Sequence, residues 1–282
     1  MKRRKFLSTS CGLLAGGIAA SCDAGNEKPL AKRIRKAAKF HMVADKSLSV
    51  RERFELLKQC GFDGTEIHTR FDLDRDEVKA ASGATGVGIH GVLNSSNPDL
   101  ASAVELAAFY GATSVLVVAG RVTKDHAYDA NWTEWVARLK DAAPHAKTHN
   151  VRLLVENVWN DFLLSPLEMA RFIDEIDHEN VGVYFDVGNV VRFGYPNQWI
   201  RILGERIGKL DIKDYSRKLQ RDAGLWRGFE AEIGDGDADW PAVRTALSEI
   251  GYSGWATAEV EGGDRQRLTE IAGRMDRVLG LV

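Results

Sequence analysis

The chain is poor in cysteine and carries no excess of charge of either sign. Its three cysteines among 282 residues are Cys11, Cys22 and Cys60. Two of them stand within the first 22 positions, so the body holds Cys60 alone and cannot form an internal disulfide. Lysine and arginine number 38 against 40 aspartate and glutamate, a formal net charge of −2. That balance argues against a duplex-DNA binder working through a basic face. Long apolar runs are missing too: Gly12–Ala20 is too short to span a bilayer as a permanent helix. The glycine-rich stretch GDGDADW holds Gly234 and Gly236 but no G-K-[ST], so its glycines punctuate a turn and do not cradle a phosphate. No low-complexity tract and no sign of a second domain interrupt the body. With 44% apolar and 28% charged residues, the class is ordinary globular.

What is present begins with a leader. Residues 1–22 have a basic start (Lys2, Arg3, Arg4, Lys5), an apolar run and then small residues, the pattern of a signal peptide. Arg3-Arg4-Lys5-Phe6-Leu7 resembles a twin-arginine export signal, and Ala19-Ala20-Ser21-Cys22 resembles a lipobox. Lipidation at Cys22 would leave a membrane-anchored lipoprotein on the outer side of the cytoplasmic membrane. Plain cleavage would release the chain into the periplasm. Both outcomes imply export. Residues 23–37 read as a polar, basic tether, and 38–282 as the folded body.

The body alternates strand and helix signals. Short apolar runs at Phe40–Val43, Gly64–His68, Gly86–Val92, Ser114–Val118, Leu153–Val155, Val181–Phe185, Ile207–Ile212 and Trp255–Val260 read as strands. Segments of helical spacing separate them, among them Ser49–Cys60, Leu100–Tyr110, Trp132–His149 with Pro144 inside, and Arg265–Leu279. Eight strand–helix units in about 245 residues match an α/β fold of the (β/α)8 TIM barrel type, as a single domain. The strands from the fifth onward carry acids at their carboxyl ends: Glu156, Asp186, Asp211 and Glu259. Only a closed barrel gathers four such ends around one rim. The one long connection, Lys213–Asp239, is of the length expected for a lid.

Four carboxylates brought together repel and raise one another's pKa values unless a cation joins them. Oxygen ligands without thiolate select a hard divalent ion, Mg2+ or Mn2+ ahead of Co2+ or Zn2+. The competing reading is that each acid caps the helix after its strand.

The segments GFDGTEIH (61–68), LLVENVWN (153–160), FDVGNVVRFG (185–194), RIGKLDIKDYSR (206–217), GFEAEIGDGDADW (228–240) and GYSGWATAEVEGGD (251–264) together resemble the sugar isomerase/epimerase branch of the xylose isomerase-like TIM barrels. The resemblance implies metal ligands at Glu156, Asp186, Asp211 and Glu259, with Glu156 and Glu259 moving the proton. Position 211 departs from the epimerase pattern, which has His there. Glu261, two residues beyond Glu259, is a rival on the same strand face. The implied reaction is isomerisation or epimerisation of a keto-sugar through an enediolate. A lyase or dehydratase acting on a keto-sugar or keto-inositol is the alternative on the same barrel. A repair endonuclease with a zinc cluster would need several histidines at strand ends, where only His68 and His90 stand. A non-catalytic sugar-binding lipoprotein would be expected to have lost an acid.

Candidate substrate-binding residues are Glu66, His90, Trp159, Asn189, Lys213 and Arg217. For His90 a core role competes, and for Trp159 an interior packing role; His41 reads as barrel packing. The partner expected is a small-molecule sugar and not a nucleic acid, with membrane anchoring through Cys22 and a homo-oligomer left open.

Overall fold

The computed structural model describes residues 30–282. The leader, Cys22 and the first part of the tether lie outside the described residues. Eight parallel strands close into a barrel in chain order: β1 Ile34–Lys39, β2 Gly64–His68, β3 Gly88–Ser95, β4 Ser114–Val117, β5 Arg152–Glu156, β6 Val181–Asp186, β7 Ile207–Ile212 and β8 Gly254–Ala258. β8 pairs with β1 through Ile34↔Gly254 to Ala38↔Ala258, which seals the cylinder. Around it lie α1 Val50–Gln59, α2 Arg75–Thr85, α3 Leu100–Tyr110, α4 Tyr128–Thr148, α5 Pro166–Ile176, α6 Pro196–Leu203, α7 Arg217–Ala223, α8 Trp240–Glu249 and α9 Arg265–Leu279. This is the expected single-sheet (β/α)8 barrel. Among the described residues no helix is long and apolar enough to cross a membrane.

All of these helices but α4 and α6 start where a side chain satisfies free N–H groups of the first turn. Ser49 and Glu52 form a reciprocal capping box on α1. Ser165, Ser216 and Asp264 cap α5, α7 and α9. These caps decide between the two readings of the acids: the helices following β5, β7 and β8 are capped by other residues. Glu156, Asp211 and Glu259 are therefore free for another use.

The main apolar core lies between barrel and helices, and a small second cluster, Leu93, Leu116, Leu154 and Tyr184, fills part of the lumen. Side chains alternate along each strand. On β1, Lys36 points out to α9, where its Nζ meets Asp276 Oδ1 (2.6 Å) and the Ala272 carbonyl (3.2 Å). Lys39, three residues on, points in.

Two boundaries differ from expectation. The barrel begins at Ile34, so positions 34–37 belong to β1 and not to a tether. Phe40–Met42, expected to open the first strand, is a 3-10 turn after it. The run IRKAAK hides its strand character because half of it is basic. The long connection after β7 also folds on itself, into α7 and a 3-10 segment at Leu225–Glu230. Asp214 organises it, accepting from Gly234 N (3.0 Å), Ala238 N (3.1 Å) and Trp240 Nε1 (2.8 Å). A Cβ at Gly236 would collide with the Asp214 carboxylate, which accounts for glycine in GDGD.

Candidate active site

Glu156 and Asp186 are the last residues of β5 and β6, and Asp211 is the penultimate residue of β7. Glu259 follows β8 directly, and its N–H still donates to Ile212 O (3.1 Å), extending the ladder by one residue. The four carboxylates each offer an oxygen within 4.8 Å of the others. Glu261 lies outside this cluster, on the exposed side of the mouth.

Two lysines thread three of the acids into one chain of ion pairs. Lys213 Nζ reaches Asp186 Oδ2 (2.8 Å) and Glu259 Oε2 (2.6 Å). Lys39 Nζ reaches Asp211 Oδ2 (2.9 Å) and also pairs with Glu259 Oε1. Glu156 makes no ion pair or hydrogen bond among the described residues. Asp186 is held by a neighbour as well: Asn189 N–H donates to its Oδ1 (2.8 Å), while Asn157 brackets its backbone with two bonds of 2.8 Å.

The electrostatics follow from burial and these pairs. Burial, then the charges of Glu259 and Asp186, pushes the Glu156 carboxyl up to about 8. Burial lifts Asp186 to about 6 despite Lys213, and holds Asp211 well above the usual carboxylate range despite Lys39. Burial works against the charge of Glu259 too, but Lys213 and Lys39 outweigh it and hold its pKa well below the usual range.

Four carboxylates against two ammonium groups leave an excess of two negative charges when all are ionised. Asp211 Oδ1 is buried without a hydrogen-bond partner, and Asp186 Oδ2 has an ion pair to Lys213 but no hydrogen bond of good geometry. The donor chemistry, the spare charge and the unpartnered oxygens thus fit a hard divalent cation.

Above the acids opens a cavity of about 530 Å3. Glu156, Glu259 and Lys213 reach its floor, and Trp159, Trp226 and Phe229 form an aromatic wall. Trp159 Nε1–H donates to Asn189 O (2.8 Å), so only its ring is left to face the cavity; its centroid lies 4.7 Å from that of Phe229 and 5.1 Å from that of Trp226.

The comparisons with known proteins agree with the barrel fold. The xylose isomerase-like TIM barrel family matches residues 54–277. The chain belongs to that family. Inosose dehydratase of Lacticaseibacillus casei is 26% identical over 149 residues, 49% of this chain and 50% of that protein. The chain thus matches only about half the length of that curated relative. Among solved structures, D-allulose 3-epimerase from Methylomonas sp. superimposes with a TM-score of 0.71 at 16% identity, over 88% of this chain and 96% of the other. The 3-keto-D-glucoside 4-epimerase of E. coli gives 0.71 at 17%, over 87% and 98%. Both likenesses are of fold.

Within this xylose isomerase-like barrel the expected substrate residues divide. Trp159, Asn189 and Lys213 line the cavity. Glu66 and His90 do not: both are sealed inside the lumen, with His90 stacked on Trp255 at 4.3 Å between centroids. Their companions Tyr184, Lys209 and Thr257 each stand two residues before Asp186, Asp211 and Glu259, hence on the same face one layer deeper. Arg217 is also diverted. Its Nε and Nη2 donate to Val191 O and Gly194 O (both 2.8 Å), pinning α7 to the β6–α6 loop. Two residues were missed. His41 lines the mouth instead of packing inside, and Lys39 joins the acid cluster. Three basic residues in IRKAAK disguised the strand that carries Lys39.

Proposed function

We propose that this barrel is a divalent-metal-dependent isomerase or epimerase of a keto-sugar. The convergence of Glu156, Asp186, Asp211 and Glu259 beneath one cavity carries the reading. Carboxylates would hold the ion, which supplies Lewis-acid polarisation of a carbonyl and its neighbouring hydroxyl when bound. The chain itself provides the rest. Glu259, held beside Lys39, is the base that takes the proton beside the carbonyl. Glu156, the other carboxylate on the cavity floor, returns a proton. Two carboxylates on one cavity supply the acceptor and the donor that such an exchange requires. Return to the same carbon from the other side gives an epimer, and return to the neighbouring carbon gives an isomer. The ring faces of Trp159, Trp226 and Phe229 suit the apolar face of a sugar.

The reading of residues 1–22 as an export leader favours free sugars or glycosides over sugar phosphates as the class to test. Incubation of such a keto-sugar panel in D2O with Mn2+ or Mg2+ is expected to place deuterium next to the carbonyl of one of them. No exchange with any member and either metal would sink the proposal. The likeness to inosose dehydratase supports a second reading, in which the same carbanion expels a β-hydroxyl. Loss of 18 mass units from the product, the mass of one water, would select it.

A further inference from the structure

The site holds two cations of its own chain, and they are not equivalent. Lys213 lines the cavity with 15% of its side chain exposed, whereas Lys39 is enclosed, with 3% exposed against an Asp211 side chain that is fully buried. An ion entering the cluster must draw ammonium groups off its ligands. Lys213 has the cavity to move into. Lys39 has no such exit, because Asp211, Glu259 and the buried Glu66 surround it. Neither Asp186 nor Asp211 lines the cavity; what sets Asp211 apart is the enclosed lysine on its Oδ2 at 2.9 Å, which cancels its charge although its Oδ1 has no hydrogen-bond partner.

We infer that Lys39 and Asp211 form a fixed internal ion pair, so that Glu156, Asp186 and Glu259 hold the divalent cation and Lys213 yields to it. The inference rests on the metal-site reading above and refines it from four carboxylate ligands to three. It makes Lys39 a positioning residue: it neutralises Asp211 and steadies one oxygen of Glu259, leaving the other for the ion. It also makes Lys213 a gate, an ammonium that occupies Asp186 and Glu259 in the absence of metal and turns toward the cavity in its presence.

Titration of the full chain with Mn2+, followed by loss of the free-ion electron paramagnetic resonance signal, tests this without any substrate. K39M/D211N, which removes the ion pair together and leaves the net charge of the site unchanged, is expected to bind Mn2+ within about threefold of wild type. D186N and E156Q are expected to weaken binding at least thirtyfold. K213M, which removes the mobile competitor, is expected to tighten it about tenfold. D211N alone, which leaves Lys39 without its partner, is measured beside K39M/D211N with thermal melts to confirm folding, and any loss of affinity it shows should be recovered in the double variant. Loss of affinity in D211N and in the double variant matching that in D186N would overturn the three-ligand assignment while leaving a metal site standing. Absence of Mn2+ binding in wild type and in K213M alike would overturn the metal reading itself, and this inference with it.

Discussion

One barrel lumen contains two polar layers, and they have been built to opposite ends. The upper layer, at the strand tips, packs four carboxylates and two lysines under an open cavity. The lower layer, two residues back along β6, β7 and β8, holds Tyr184, Lys209 and Thr257, with His90 and Glu66 beside them, and none reaches solvent. In the lower layer one run of hydrogen bonds joins Lys209, His90, Thr257 and Tyr184, and Glu66 alone stays outside it. Lys209 Nζ donates to His90 Nδ1 (3.0 Å), His90 Nε2 meets Thr257 Oγ1 (3.2 Å), and Thr257 shares a 3.0 Å bond with Tyr184 OH. With Lys209 donating to Nδ1, His90 is neutral and carries its hydrogen on Nε2, consistent with burial and then Lys209 holding its pKa well below the usual value. Lys209, buried first and pressed by Arg35 and Arg152, falls to about 7. The lower layer thus sheds charge. The upper layer keeps it: Lys39 and Lys213 pair with its carboxylates, and Glu156, Glu259 and Lys213 line an open cavity. A charged layer that opens on a cavity is the one shaped for a ligand.

The comparison breaks most sharply at Glu259. Replacing it by Gln removes the proposed base while keeping shape, and general-base loss of this kind costs about 10^2–10^4 in rate. Glu259→Gln is therefore expected to slow deuterium exchange into the reactive keto-sugar at least about a thousandfold, with a melting temperature near wild type. Retained turnover would move the chemistry away from the strand tips.

A second effect separates the layers by pH. The folded-state pKa of Glu156 is raised to about 8 from an ordinary 4.5. Between those values the folded state binds more protons than the unfolded one, so this group's contribution to stability falls as pH rises from about 4.5 to about 8 and is flat above. The metal-free protein is expected to melt progressively lower across that window, and Glu156→Gln to flatten the slope. Mn2+ should raise the melting temperature more at pH 8 than at pH 5.5, since its ligands must be deprotonated. An equal rise at both values would mean that the ion binds elsewhere.

Much of the upper layer was legible because each acid closes a short apolar run, and a charge at the end of a buried strand requires a partner. The order of strand ends then follows from closure of the barrel. The lysine facing them was not legible. In IRKAAK the inward set Arg35, Ala37 and Lys39 and the outward Lys36 carry three basic residues that resemble a solvated linker, and only the pairing with β8 makes them a strand. His90 and Glu66 were placed too high for a related reason: sequence reveals which face a residue takes, but not its depth along a barrel whose registers shift at bulges, as β2 and β3 do at Thr65/Glu66. Arg217 stands close to Asp211 in sequence, yet opens α7, and the carbonyls of Val191 and Gly194 claim it.

The smallest expected effect tests whether the lower layer is structural only. Tyr184→Phe removes one hydroxyl whose assigned hydrogen-bond partner, Thr257, retains His90. A satisfied buried hydrogen bond of this kind contributes about 0.5–1.5 kcal/mol, so the melting temperature should drop by only a few degrees. Glu66 is the complication, for it stands beside Tyr184 with both carboxylate oxygens unpartnered, and burial raises its pKa. If Glu66 is protonated, it can serve as its own donor and the loss stays at that level, with Mn2+ affinity unchanged. A destabilisation of several kcal/mol, or a coupled fall in Mn2+ affinity, would instead mean that Glu66 is ionised and leans on the Tyr184 hydroxyl. The two layers would then be one electrostatic unit joined through Lys39.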